Sequence, residues 1–115
     1  MTDIELLELA AKAAGVTGEW ARTHQPYGDA WVEGIDCGAP VYWNPLTEDG
    51  DALRLAVKLG MELYHGYNDG PAVFAAVPKR NSMPAFVVEM HDCDPHAATR
   101  RAITRAAAEI GKAMP

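Results

Sequence analysis

The C-terminal segment, which starts at Asp94, constrains the fold most strongly, because its pattern is that of a helix with one apolar face. Asp94 is a good N-cap, and Pro95 suits the first helical position. The basic residues Arg101, Arg105 and Lys112 lie on the face opposite the apolar one. Such a helix must bury its apolar face against another layer. The predicted core face consists of Ile103, Ala106, Ala107, Ile110 and Met114.

A second helix is predicted at the N-terminus. Thr2 can cap it, and Glu5 lies three residues later, which is the capping-box pattern. Gly15 supplies the stop. The apolar residues that recur at helical spacing, and therefore form the predicted core face, are Ile4, Leu7, Ala10, Ala11 and Ala14.

A third helix is predicted in the middle of the chain, where Thr47 or Asp49 can cap it and Gly60 ends it. Its polar residues Asp51, Arg54 and Lys58 share one narrow strip. The apolar residues cover most of the remaining circumference, so we expect a mostly buried helix. These residues are Ala52, Leu53, Leu55, Ala56, Val57 and Leu59.

Short apolar runs separated by turn residues predict strands in two regions. Residues 16–43 contain "GEWAR", "AWVEGI" and "PVYW", and residues 61–90 contain "MELYHGY", "AVFAAV" and "AFVVEM". The second set reads as an antiparallel meander. Helix, strands, helix, three strands and helix together predict one α+β domain over residues 1–115. We expect a compact α/β sandwich in which three helices pack on an antiparallel sheet.

The net charge of −6 is unevenly distributed, because residues 1–52 carry ten carboxylates against only Lys12 and Arg22. An acidic first half argues against direct nucleic-acid binding, in which affinity comes mainly from phosphate neutralisation. It is compatible with binding to a basic protein surface. No apolar run is long enough for a membrane span, and the N-terminus is acidic where a signal peptide is basic. We therefore expect a cytoplasmic protein.

Three sequence blocks resemble a known family. "ELLELAAKAAG" near the N-terminus, "WNPLTEDGDALRLAVKLG" in the centre and "ATRRAITRAAAEIGKAM" at the end are similar, in that order, to the phage ABA sandwich domain of small bacteriophage and prophage proteins. The resemblance implies a phage- or prophage-encoded protein with a compact α/β sandwich. It implies no established activity and no catalytic residues. Residues 16–42 and 61–94 show little of the family pattern.

Metal binding and catalysis each have candidate residues but no convincing pattern. His91, Cys93 and His96, with Cys37 as a fourth ligand, are residue types that suit zinc, but their spacing matches no familiar zinc finger. Asp49 and Asp51 could bind magnesium, although capping and pairing with Arg54 already explain them. We expect neither a metal nor a cofactor.

Nucleophilic catalysis is open but unsupported. Ser82 is the only serine and lies outside any Gly-x-Ser-x-Gly motif. A cysteine–histidine dyad would need Cys37 or Cys93 beside His65 or His91, and nothing in the sequence brings them together. We predict that the protein is not an enzyme, with an uncharacterised enzyme as an alternative.

A ligand site is predicted from aromatic, amide and basic residues in turns. Trp43 offers a stacking face, and Asn44 and Tyr67 offer polar groups that can orient a ligand. Lys79 and Arg80 can meet phosphate oxygens. Trp43 could equally belong to the core, since large aromatic residues are usually buried. We expect these five residues to converge on one pocket.

The resulting functional hypothesis is a non-enzymatic phage counter-defence protein. It would bind and sequester a small nucleotide-derived host immune signal, of the cyclic ADP-ribose or cyclic dinucleotide type. We expect a homo-oligomer, because symmetric subunits can enclose a pocket deeper than one small domain can form. The alternative is an acidic inhibitor or adaptor that binds a host protein.

Overall fold

The chain folds into helices and strands that the computed structural model describes over residues 1–24, 30–66, 70–77, 85–91 and 94–115. Within these ranges the structure has three helices and two antiparallel sheets, which confirms the predicted α+β class. The elements in chain order are α1 (Asp3–Ala14), β1 (Glu19–His24), β2 (Trp31–Asp36), α2 (Asp49–Leu59), β3 (Glu62–His65), β4 (Ala72–Val77), β5 (Ala85–Met90) and α3 (Pro95–Ala113).

The described strands divide into two sheets. β1 and β2 pair antiparallel, from Glu19 opposite Asp36 to His24 opposite Trp31. The other sheet has the order β3-β4-β5, with both pairings antiparallel, so the predicted meander is confirmed. The single predicted sheet is thus split, because the strands of the 16–43 region pair with each other and not with the meander.

The ends of α1 and α3 follow the local signals in the sequence. The Thr2 side chain accepts a hydrogen bond from the Glu5 amide at 3.2 Å, and Gly15 ends α1 in the left-handed region. The Asp94 side chain accepts from the Ala97 amide at 3.0 Å, and Pro95 is the first residue of α3. Both predicted N-caps are confirmed because such caps depend only on neighbouring residues.

The core lies around α3, which contacts α1, α2 and the three-stranded sheet. Ala98, Ala102 and Ala106 pack against Val73 and Val87 of the sheet. Alanines on this face allow helix and sheet to approach closely. On its neighbouring face, α3 packs against α1 and α2 through a cluster formed by Ala10, Ala14, Ala52, Leu55, Ala56, Ile103 and Ala107.

Several predicted core positions are wrong. Ile4 is 40% exposed, and Leu6 is buried in its helix. Met114 caps the end of α3 and is 40% exposed, since it lies beyond the last helical turn. The basic face of α3, predicted to lie opposite the core, also contacts the sheet, because Arg101 and Arg105 form ion pairs with Glu89 of β5.

The largest error concerns α2, which buries only one side. Ala52, Leu55 and Ala56 are buried, whereas Leu53 is 61% and Val57 is 73% exposed. Apolar residues around a helix predict burial only if protein lies on all sides. Here α1 and α3 cover one face of α2, so the apolar pattern overestimated its burial.

Candidate functional site

The segment 37–48, here called the strap, connects β2 to α2 and forms the walls of two grooves. It is fixed to β2 where Ile35 and Trp43 form an antiparallel bridge with backbone hydrogen bonds of 2.8 and 2.9 Å. Gly34 permits this close approach, because a Cβ atom built there would lie 2.6 Å from the Trp43 carbonyl oxygen. Gly34 also has a φ of 153°, which other residues rarely adopt.

Asn44 holds the strap in place through its side chain and backbone. The side-chain Nδ2 donates to the Glu33 carbonyl at 3.0 Å, and Oδ1 accepts from the Leu46 amide at 3.0 Å. The backbone N–H of Asn44 donates to Asp51 Oδ2 at 3.0 Å. Asn44 is 5% exposed. Its amide group is therefore occupied by the protein itself, and its role in orienting a ligand stays a prediction.

Each acidic residue at the start of α2 either pairs with an arginine or occupies the N-cap position. The predicted pair of Asp51 with Arg54 is confirmed, at 2.7 Å. The predicted cap is wrong, because Glu48 occupies the N-cap position without a side-chain hydrogen bond. Asp49 lies one residue later and pairs with Arg100 at 2.7 Å. Asp49 and Asp51 thus already face guanidinium groups, which competes with the magnesium interpretation.

Trp43 is both a core residue and a groove residue. It is half-buried, and it packs against the cluster of Leu7, Ala11 and Ile35 as well as against the cluster around α3. Another part of the residue lines a groove on the α2 side of the strap. The two interpretations open from the sequence, core and ligand-facing, are therefore compatible in this position.

The Trp43 groove, as this first groove is called here, has a volume of about 510 Å³. Pro40, Val41 and Tyr42 give it an apolar wall, and its charged lining residues are Arg54 and the carboxylates Glu48 and Asp51. The exposed thiol of Cys37 lies at the groove as well. Its size falls within the range of about 300–1,000 Å³ that small-molecule sites occupy.

The Trp31 groove lies on the β1-β2 side of the strap and has a volume of about 520 Å³. Trp31 is 52% exposed, and Val41, at 66%, is shared with the Trp43 groove. Two carboxylates, Glu33 and Glu48, also line it. The Tyr42 hydroxyl is hydrogen-bonded to the Thr23 hydroxyl at 2.5 Å, which fixes this ring against β1.

Side chains of the β1-β2 hairpin hold Trp31 in position. The guanidinium of Arg22 lies over the Trp31 ring at 4.4 Å from its centroid, and it also pairs with Glu33 at 2.9 Å. The His24 ring meets Trp31 edge-on, with centroids 5.0 Å apart. These two contacts favour one orientation of the exposed indole, and a favoured orientation lowers the entropic cost of using the ring for binding.

The predicted ligand residues are only partly located by the structure. Trp43 and Asn44 are neighbours on the strap but line different grooves. Tyr67, Lys79 and Arg80 lie outside the described residues. Sequence reasoning missed Trp31, Val41, Tyr42 and Arg54 as groove residues. "AWVEGI" and "PVYW" carried the signal, but it reads as strand-forming and does not show which aromatic ring is exposed.

The other candidate sites gain little support in the described part of the chain. Among these residues, no group of three His, Cys, Asp or Glu side chains is arranged to hold a metal ion. Cys93 lies outside the described residues. His65 and His91 are ring neighbours, with centroids 6.4 Å apart.

No helix in the described ranges combines the length and apolar character that a bilayer crossing requires.

Comparison with known proteins gives no relative. No family model, no curated protein and no solved structure matches this chain. The resemblance to the phage ABA sandwich domain therefore rests on the three sequence blocks alone. In the described part of the chain, the fold and the strap form two adjoining grooves, and these grooves are the candidate functional site.

Proposed function

We propose that the protein binds and sequesters a small nucleotide-derived ligand in the Trp43 groove, without turning it over. The observation that carries this proposal is that Trp43 and Arg54 line the same groove of about 510 Å³. An indole can stack on a base, which contributes roughly 1–3 kcal/mol, and a guanidinium can bind phosphate through two parallel hydrogen bonds. Every nucleotide contains a base and a phosphate, so the groove offers one partner for each.

The charge of the groove limits how it can bind phosphate. Asp51 already neutralises part of the Arg54 charge, and Glu48 adds a further carboxylate to the lining. A phosphate group therefore requires additional positive charge. Lys79 and Arg80 are the predicted source, and Tyr67 is predicted to orient the ligand beside them. A cyclic ADP-ribose or a cyclic dinucleotide stays the first candidate for the ligand.

A homo-oligomer is part of this proposal. A good small-molecule site buries about 70–90% of its ligand, and a groove between a strap and one helix leaves one side open. A second subunit related by symmetry can close that side. Sequestration of a host immune signal by a phage- or prophage-encoded protein in the host cytoplasm is the biological role that fits this chemistry.

Calorimetric titration with a panel of cyclic nucleotides tests the proposal. Arg54→Ala should weaken binding by roughly 10-fold or more, as expected for a hydrogen bond to a charged group. Because the Arg54 side chain is 74% exposed, this variant should remain folded. Lys58→Ala is the matched control, since Lys58 is exposed on the same helix and does not line the groove.

Two further measurements distinguish the alternatives. Native mass spectrometry of the protein from host lysate would report the oligomer size and any bound ligand together. Chromatography of the ligand after incubation should return it unchanged, whereas a new product would support the enzyme alternative. Absence of binding by the whole panel would overturn the proposed ligand class and favour the protein-binding alternative.

A further inference from the structure

We propose that the Trp31 groove binds an arginine-bearing basic segment of another protein. This groove adjoins the proposed nucleotide groove and shares Pro40, Val41, Tyr42 and Glu48 with it, whereas Trp31 and Glu33 line this groove and Trp43 and Arg54 line the other. The proposal rests on the combination of an exposed aromatic ring, an apolar wall and carboxylates at one groove. The partner is defined by its chemistry, which is an extended chain segment with at least one exposed arginine.

The apolar part of the groove has the composition of a protein-binding hot spot. Trp31 is 52% and Val41 is 66% exposed, and Pro40 and Tyr42 also line the groove. Tryptophan and tyrosine are enriched at the energetic centres of interfaces. Arg22 and His24 both contact the Trp31 ring, and these contacts favour its present orientation without a partner.

The charge of the groove selects a cationic partner. Among the described residues, the charged side chains that line the groove are Glu33 and Glu48, and no basic side chain lines it. Glu33 already pairs with Arg22, whereas Glu48 is exposed and has no ion pair within the described part of the chain. An anionic ligand would meet two carboxylates here without the guanidinium that Arg54 supplies to the Trp43 groove. A guanidinium would meet Glu48 beside an aromatic wall.

Arginine fits this groove better than lysine. Its planar guanidinium can stack on an aromatic ring while it forms two parallel hydrogen bonds with a carboxylate. The molecule already contains one such stack, because Arg22 lies 4.4 Å from the Trp31 centroid while it pairs with Glu33. A partner arginine would repeat this arrangement with Glu48.

Fluorescence anisotropy with a labelled synthetic peptide of alternating arginine and glycine tests the proposal. The full-length protein should bind it with an affinity that falls as salt is added. Trp31→Ala should raise Kd by at least 10-fold, and Glu48→Gln should raise it several-fold. Tyr64→Ala is the matched control for an exposed aromatic residue, at 55% exposure, and should leave Kd unchanged. Glu8→Gln is the control for general negative charge, because Glu8 is exposed on α1.

Each other outcome overturns the assignment. Absence of peptide binding, or binding that Trp31→Ala leaves unchanged, removes the groove as the site. An equal loss with Glu8→Gln means that the peptide follows net charge alone. Equal affinity for a second peptide in which lysine replaces every arginine, or for spermine, rejects a guanidinium-specific site. Arg54→Ala should not affect peptide binding, so failure of the nucleotide proposal and failure of this one are distinguishable.

Discussion

Arg100 of α3 donates a hydrogen bond from Nε to the backbone carbonyl of Leu46 at 2.9 Å. Its Nη1 atom also lies 2.7 Å from Asp49 Oδ1, and its side chain is only 18% exposed. One guanidinium therefore fixes the end of the strap and the first turn of α2 to the central helix. Arg100 thereby ties the strap, which forms a wall of both grooves, to α3, although no residue of α3 lines either groove.

Arg100→Ala should lower the free energy of unfolding by about 1–3 kcal/mol, because a half-buried charged hydrogen-bond donor is lost and the Leu46 carbonyl loses its partner. Chemical denaturation measures this change. Arg54→Ala is the control, since it breaks an ion pair whose guanidinium is 74% exposed and should cost less than about 1 kcal/mol. Equal losses in the two variants would contradict the anchoring role of Arg100.

Asn44→Ala should lower the free energy of unfolding by about 2–4 kcal/mol, because the Glu33 carbonyl and the Leu46 amide both lose a partner. Thr47→Ala, at an exposed position of the same strap, should change it by less than about 0.5 kcal/mol. Thermal and chemical denaturation of both variants check this. Full stability of Asn44→Ala combined with loss of ligand binding would instead assign the amide to the ligand.

The parts of the fold that could be predicted are those specified by neighbouring residues. Thr2, Gly15 and Asp94 set the ends of two helices through contacts within one turn, so the sequence pattern alone is sufficient. The meander follows similarly from short apolar runs and the turns between them. Burial of α2 was not predictable in this way, because it depends on how many sides of the helix are covered by other elements.

The candidate site depends on contacts between distant residues. Trp31 and Trp43 both occur in short strand-like runs, and nothing local indicates which ring faces the core. The bridge between Ile35 and Trp43 decides it, since it places Trp43 against the core clusters. Gly34 makes that bridge possible by leaving room for the strap. Neither hydrophobic periodicity nor composition predicts a close approach of this kind between two backbone segments.

Leu53→Ala should leave the stability nearly unchanged, within about 1 kcal/mol, because the side chain is 61% exposed. Leu55→Ala, two residues along the same helix, should cost about 2–5 kcal/mol, since Leu55 is 2% exposed and its loss leaves a cavity. Denaturation of the two variants under identical conditions compares them directly. Similar losses would mean that the outer face of α2 is covered in solution, for example by a second subunit.

Asp94→Asn should remove part of the acid sensitivity of the fold. The hydrogen bond from the Ala97 amide lowers the pKa of Asp94 below its ordinary value of 3.8. The ionised cap therefore stabilises the fold fully above that ordinary value, and this stabilisation is lost as the pH falls through the folded-state pKa.

Melting temperatures measured between about pH 6 and pH 2 report the effect. Asparagine is also a good N-cap, so Asp94→Asn should remain folded at neutral pH and show a shallower loss on the acid side. Asp94→Ala should melt at lower temperature throughout the neutral range, because it removes the cap itself. An acid profile of Asp94→Asn identical to that of the unchanged protein would show that the carboxyl group does not contribute.

Gly111→Ala should destabilise the protein although alanine is the better helix former. Alanine in place of glycine favours a helix interior by about 1 kcal/mol. Gly111, however, is the point where α3 meets α1, and a Cβ atom built there would overlap the Leu9 carbonyl oxygen. Backbone atoms cannot move aside as a flexible side chain can, so the helices must separate, at a cost of about 1–3 kcal/mol beyond the gain in propensity.

Glu109→Ala, at an exposed position of the same helix, should change stability by less than about 0.5 kcal/mol. A higher melting temperature for Gly111→Ala would mean that helix propensity outweighs the contact and that α1 and α3 pack less closely than described.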